Sequence, residues 1–379
     1  MFGNRITLFK LFGFEVKIDI SWLILAVLIT FTLARGFFPH YYKGLSLLTY
    51  WWMGLSGALG FFASIIFHEF WHSFIARRYG LPMKGITLFI FGGVAEMGDE
   101  PPNAKTEFLM AIAGPLSSIF LGFGFFGINL LIPKSDPLLP MKGVIGYLAY
   151  INLILAAFNL LPAFPLDGGR ILRSAIWKWT DNIRWATRVA SWTGSFFGIA
   201  LMILGILSIF QGNFIGGIWF FVIGMFVKNA AQISYQQVLL RNVLAGKKVG
   251  YFAKVDPVFV PPSISIEQFV EEYFYKYHFK MFPVVENTNI VGCINIAQVK
   301  DIPRNEWNQR TVRELAKKCL PENTISPEAD TLQALSLMKQ NGNTKLMVVE
   351  DRKLIGIITL KDILQYFSAR MDLEEYSGK

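Results

Sequence analysis

The chain has 379 residues, 53% of them hydrophobic and 15% aromatic, with a mean hydropathy of +0.41, which is too apolar for an ordinary soluble domain. Its formal charge is +9, but Lys and Arg sit at the ends of apolar runs rather than in one block or stripe, which argues against nucleic acid and for membrane orientation. Two cysteines, Cys293 and Cys319, exclude a disulfide framework and a Cys-rich zinc site and are expected to be reduced thiols.

A helix crosses a hydrocarbon core roughly 30 Å thick with about 20 apolar residues. In chain order, segments 20–33, 48–67, 108–132, 143–164 and 189–210 hold no Asp, Glu, Lys or Arg, and 214–227 follows after Gln211-Gly212-Asn213. The last is short enough to be re-entrant. Asp19 stands directly before the first run and no small-residue cleavage site follows it, so that run is expected to stay as a span. Counted from a cytoplasmic N-terminus, one side collects the basic groups near residues 5–17, 77–84 and 170–188, whereas the other receives Arg35, Lys43, Lys134 and Lys142. The positive-inside rule then favours six spans with both termini in the cytoplasm of a multi-pass cell-membrane protein.

The second run ends in His68-Glu69-Phe70-Trp71-His72, an HExxH pattern. On a helix, residues four apart share a face, so both imidazoles can reach one Zn²⁺ while Glu69 stands beside the attacking water as general base. The chain has only four His, and ionisable groups at membrane depth are costly enough to mark function. A catalytic zinc site takes three protein ligands. Asp167 is the best third candidate, because two antiparallel steps along the chain return it to the depth of His68 and His72. On its own it would read as an Asp-Gly turn; beside HExxH it reads as a ligand.

These motifs resemble the site-2 protease family of intramembrane metalloproteases, whose pattern is HExxH on one span and an NxxPxxPLDG segment on a later one, here Asn159 to Gly168. The resemblance extends to Phe89-Ile90-Phe91-Gly92-Gly93, to Ala113-Gly114-Pro115 and to Leu11-Phe12-Gly13-Phe14 followed by Ile18-Asp19-Ile20-Ser21-Trp22, and covers residues 1–230. It implies that His68, His72 and Asp167 hold one zinc and that Glu69 is the catalytic base. It also implies that Asn159 lies near the substrate backbone, the alternative being a helix–helix hydrogen bond. Gly92 and Gly93 would belong to a membrane-inserted β-hairpin that pairs with unwound substrate, the alternative being a plain glycine turn. Phe70 and Trp71 depart from the smaller residues usual between the histidines and are expected to narrow the site.

Residues 231–244 read as a helix or linker, and an internal repeat follows. Phe282-Pro283-Val284-Val285 with Ile290-Val291-Gly292-Cys293-Ile294 is echoed by Leu346-Met347-Val348-Val349 with Leu354-Ile355-Gly356-Ile357-Ile358. Each unit is expected to hold a helix, two strands and a further helix. This resembles a pair of CBS domains, at 245–307 and 308–370, with a tail at 371–379. The second unit contains Gly356-Ile357-Ile358-Thr359-Leu360-Lys361-Asp362, similar to the CBS nucleotide motif, in which Thr359 and Asp362 would hold ATP, ADP or AMP. The first has Asn295 and Gln298 at the matching places, so one nucleotide per pair is expected, or else a ligand-free module forming a homodimer through the CBS domains.

The expected fold is therefore a multi-pass α-helical membrane protein of about six transmembrane helices with a short membrane-inserted β-hairpin, followed by a soluble α/β tandem CBS domain in the cytoplasm. The expected activity is zinc endopeptidase cleavage of membrane-spanning proteins within the lipid bilayer, modulated by adenine nucleotide. The alternative is a CBS-regulated membrane transporter of metal or other ions, against which no second intramembrane row of histidines or carboxylates is present.

Overall fold

The computed structural model describes residues 5–11, 13–81, 83–89, 92–97, 101–133, 135–254, 257–279, 281–287, 289–317, 323–351 and 353–377. The chain divides into two compact units, Met1–Val238 and Leu239–Lys379.

The first unit opens with strands β1 (Arg5–Leu11) and β2 (Phe14–Asp19), an antiparallel hairpin turned at Gly13, whose φ of 86° suits only a residue without Cβ. β2 then pairs in parallel with β3 (Met83–Phe89), which pairs antiparallel with β4 (Gly92–Met97), so the sheet order is β1-β2-β3-β4. The hairpin expected around Gly92 and Gly93 is thus half of a four-stranded sheet; Ile90 and Phe91 lie outside the described residues.

Helix α1 (Ile20–Tyr41) follows β2 directly, and α2 (Leu47–Arg78), capped by Ser46 Oγ accepting from the Thr49 N–H, carries the HExxH residues. Ile18 and Leu88 of the sheet bury against Ala58, Phe62 and Ile65 of α2, so the sheet leans on the helix that holds the histidines. The remaining long helices are α3 (Ala104–Leu131), α4 (Leu139–Asn159), α6 (Ile183–Phe210) and α7 (Phe214–Leu244), with the short α5 (Asp167–Thr180) between α4 and α6. Six of these, all but α5, are long and apolar enough to cross a membrane, the fourth counted with Asp136–Leu138. Ile24, Val27, Phe120 and Leu131 are exposed, as outward-facing side chains are when lipid is the solvent. Helices α6 and α7 pack backbone to backbone: a Cβ at Gly198, Gly205, Gly217 or Gly224 would come within 2.5–2.6 Å of a carbonyl oxygen on the facing helix.

Most helices run a few residues to two or three turns beyond the apolar segments read in the sequence, and two boundaries differ in kind. The fourth helix stops at Asn159 rather than reaching 164, because Pro162 and Pro165 lack the N–H that a helix needs and disfavour α geometry in the residues before them; the Phe164–Pro165 peptide bond is cis. The sixth apolar segment, read as short, is the start of a 31-residue helix that runs through 231–244.

The second unit repeats one motif. Strands β5 (Met281–Glu286) and β6 (Asn289–Asn295) form a hairpin; so do β8 (Lys345–Glu350) and β9 (Lys353–Thr359), beside the short β7 (Thr324–Ile325). Helices α8 (Thr331–Asn341) and α9 (Leu360–Ser377) flank the second hairpin. Phe282, Val284 and Ile294 are the buried centre of one core, and Leu346, Val348 and Ile358, each 64 residues later, are the centre of the other. Full burial of such a side chain contributes about 1.5–3 kcal/mol, so each repeat holds its own hairpin. Contrary to the expectation of two reduced thiols, Cys293 is disulfide-bonded; Cys319, the other cysteine of the chain, lies outside the described residues.

Candidate metal centre

His68 and His72 are one helical turn apart on α2 and both buried, at 3% and 5% exposure. Asp167, the first residue of α5, is 9% exposed. Its Oδ2 lies 3.1 Å from Nε2 of each histidine, and the two Nε2 atoms are 3.2 Å apart. Donors about 2.0–2.2 Å from a tetrahedral zinc stand roughly 3.3 Å from one another, so the triangle fits such an ion. Among the described residues this is the one cluster of His, Cys, Asp and Glu able to hold a metal.

The second ring nitrogens are also engaged. His72 Nδ1 donates to the Met110 carbonyl oxygen at 2.6 Å, and His68 Nδ1 lies 2.8 Å from Ser118 Oγ. A carbonyl can only accept, so Nδ1 of His72 carries a proton, and in the neutral ring Nε2 is the nitrogen whose lone pair is available to a metal. Met110 and Ser118 come from α3, and Gly114 lies midway between them on the same face. A Cβ at Gly114 would overlap His72 Nε2 and come 2.6 Å from His68 Nε2, so only glycine leaves room for the imidazoles. Sequence reasoning noted Gly114 without a role and missed Met110 and Ser118. The signal was present in the four-residue spacing 110, 114, 118, which matches the spacing of the histidines.

Asp167 reaches the triangle because the segment 160–166 folds back over the first turn of α5. Leu166 N–H donates to Ala163 O at 2.9 Å and Gly169 N–H to Leu166 O at 3.0 Å. A Cβ at Gly168 or Gly169 would overlap the backbone of Leu160, Leu161, Ala163 or Phe164, which explains the two glycines after the aspartate.

Glu69 is half-buried beside His68 and within Coulombic reach of both imidazoles, Asp167 and Arg170. Phe70 is directed at the sheet, its ring 5.8 Å edge-on from Phe14, while Trp71 packs on Phe67 and Phe74. Asn159 is half-buried and its amide donates to Leu155 O of its own helix at 3.0 Å. Gly92 and Gly93 pair with Phe89 and Leu88, leaving β4 at the edge of the sheet.

In the second unit, Thr359 and Asp362 line a cavity of about 750 Å³ together with Lys254, Phe279, Lys345 and Lys361. Thr359 Oγ1 donates to Asp362 Oδ2 at 2.5 Å, and Lys254 Nζ lies 2.8 Å from Asp362 Oδ1. Although burial opposes it, the hydrogen bonds from Lys254 and Thr359 hold the Asp362 carboxyl below the usual carboxylate range. Lys345 Nζ sits 3.4 Å from the centroid of the Phe279 ring. The matching residues of the first repeat, Asn295 and Gln298, instead bond each other as a capping box, with Gln298 Nε2 donating to Leu315 O.

Two family models match the chain: peptidase family M50 over residues 56–143 and 138–205, and the CBS domain over 249–303 and 312–369. Zinc metalloprotease MJ0392 of Methanocaldococcus jannaschii is 31% identical over 378 residues, 98% of each chain. Rip3 of Mycobacterium tuberculosis is 31% identical over 365 residues, 95% of this chain and 92% of that one. Among solved structures, the site-2 protease from Methanocaldococcus jannaschii shares 27% identity over 61% of this chain and 95% of that chain, with a TM-score of 0.44.

Proposed function

Since the chain belongs to the site-2 protease family, peptidase family M50, and carries a CBS pair, we propose that it is an intramembrane zinc endopeptidase that cuts membrane-spanning proteins near the cytoplasmic face. The protein is an integral membrane metalloprotease by family; the residue roles, substrate and orientation are our reading. The observation that carries it is the convergence of His68 Nε2, His72 Nε2 and Asp167 Oδ2 within 3.1–3.2 Å of one another, next to Glu69.

His68, His72 and Asp167 would hold a zinc ion, which would supply Lewis acidity towards water and the scissile carbonyl. Glu69 takes a proton from the attacking water as the carbon–oxygen bond forms, then delivers it to the amine nitrogen as the carbon–nitrogen bond breaks. The substrate must be unwound first, and the edge of β4 offers backbone N–H and C=O groups to an extended strand, with Gly92 and Gly93 permitting close approach. Asn159, where α4 gives way to the loop, is read as a polar contact for that strand. Both termini and the CBS pair are assigned to the cytoplasm from the distribution of basic residues.

The CBS pair is read as the sensor of one adenine nucleotide. Three lysines around Thr359 and Asp362 supply cationic charge for phosphates, and Asp362 can exchange Lys254 for ribose hydroxyls. Asn295 and Gln298 are consumed in their capping box, which supports one site rather than two.

The test is cleavage of a membrane-spanning substrate by purified protein in detergent or proteoliposomes. Glu69→Gln should abolish cleavage while zinc stays bound. Cleavage that survives this change would sink the mechanism, and ion flux without cleavage would transfer the chain to the transporter reading.

A further inference from the structure

Asp167 is delivered by irregular backbone, and the residue before its helix makes no side-chain cap bond. The backbone bonds at Leu166 set where that helix begins, and a side-chain contact further along it bears on how the helix is held. Arg173, on the same helix α5, is 5% exposed and Glu107 of α3 is 0% exposed. Arg173 Nε donates to Glu107 Oε1 at 2.7 Å, and Nη2 donates to the same oxygen. The Arg173 guanidinium carbon also lies 5.1 Å from the centroid of the Phe164 ring. Phe164 in turn docks on α6, its N–H donating to Ala190 O at 3.3 Å and its side chain clustering with Ala190 and Ala231.

One guanidinium therefore grips two bodies. Through Glu107 it holds α3, the helix whose Met110, Gly114 and Ser118 surround the imidazoles. Through Phe164 it holds the loop three residues before Asp167. A buried ion pair adds little net stability compared with apolar residues of the same shape. Here it adds less, since Glu107 Oε2 has no hydrogen-bond partner among the described residues. Its value is geometric: the planar fork of arginine fixes direction as well as distance and stacks on a ring, which lysine cannot reproduce. Metal sites need ligands held to within about 0.5 Å.

We propose that Arg173, oriented by Glu107 and stacked on Phe164, is a positioning residue for the metal centre, setting the Asp167 carboxylate against the imidazoles of His68 and His72. The inference rests on the metal-centre reading, and the experiment separates the two. Full-length protein in detergent would be prepared as wild type, Arg173→Lys, Glu107→Gln and Phe164→Leu. The readouts are the zinc dissociation constant from chelator competition, the visible spectrum of the Co²⁺-substituted protein, and the melting temperature. Arg173→Lys and Phe164→Leu should bind zinc about 10-fold to 100-fold more weakly and shift the cobalt bands, with melting close to wild type; Glu107→Gln should move both metal readouts the same way. Wild type that binds no zinc would remove the metal centre itself. Folded variants with wild-type zinc affinity and cobalt spectrum would overturn the positioning role alone. So would failure of all three variants to fold, which would make the pair a stability element.

Discussion

The imidazole of His72 hangs from the backbone of Met110, its Nδ1 2.6 Å from the carbonyl oxygen, whereas the imidazole of His68 leans on a side chain, Ser118 Oγ at 2.8 Å. A backbone acceptor survives any substitution of its own residue, but a hydroxyl does not. Ser118→Ala should therefore leave His68 free to change tautomer and rotate, weakening zinc binding about 10-fold to 100-fold. Chelator competition on the purified protein measures this; an unchanged dissociation constant would show that the serine does not orient the ring.

Gly114→Ala tests the space rather than the hydrogen bonds. The added methyl would overlap His72 Nε2 and lie 2.6 Å from His68 Nε2, and α3 cannot withdraw while Met110 and Ser118 remain bonded to the rings. The variant is expected to fold and to lose stoichiometric zinc together with cleavage. Metal analysis after gel filtration decides it, and one zinc per chain in the alanine variant would refute the packing argument.

The three residues that converge were legible as a candidate site because their signals are local: His68 and His72 share a turn, and Asp167 sits in a proline- and glycine-rich segment that no span would carry without cause. Their supports were not. Glu107 and Arg173 meet 66 residues apart, Met110 acts through its carbonyl and Gly114 through the lack of a side chain. The N-terminal hairpin was invisible as strands, since a register shift between Thr7 and Phe9 breaks the alternation of β1. Its pairing into the sheet, Glu15 opposite Gly85, is long-range. The second unit read well because its pattern occurs twice.

The acid limb of stability should carry a small contribution from Asp362. Burial opposes its ionisation, but Lys254 and Thr359 hold the carboxyl below the usual range, and the unfolded value is about 3.9. A depressed carboxylate stabilises the fold above its unfolded pKa and loses that contribution as pH falls through the folded one. With Lys254 largely exposed, the effect is no more than about 1 kcal/mol. Chemical denaturation of wild type and Asp362→Asn at pH 7 and at roughly pH 2.5 should show the asparagine variant losing less on acidification. At pH 7 the same variant should bind ATP, ADP and AMP at least about 10-fold more weakly by calorimetry, if the charge-assisted bond to ribose is as strong as such bonds usually are. Identical nucleotide affinity would remove Asp362 from the site.

Gly292 and Gly356 hold equivalent places in the two repeats, each where a segment from outside the hairpin crosses it: Lys317 bridges to Cys293, and Lys254 bridges to Ile357. The crossings differ in closeness. A Cβ at Gly292 would stand 2.9 Å from Lys317 O, whereas at Gly356 it would overlap Lys254 O. Backbone on both sides leaves no flexible side chain to yield, so Gly356→Ala is expected to destabilise the second unit by about 1–3 kcal/mol, the usual range for overpacking, and Gly292→Ala by less. Lys254 also pairs with Asp362 at 2.8 Å, so pushing its backbone away opens the cavity wall around Thr359. Gly356→Ala should thus lower nucleotide affinity as well as melting temperature, whereas Gly292→Ala lowers the melting temperature alone. Equal losses of affinity in both variants would show that the two crossings are equivalent and that the cavity does not depend on Lys254.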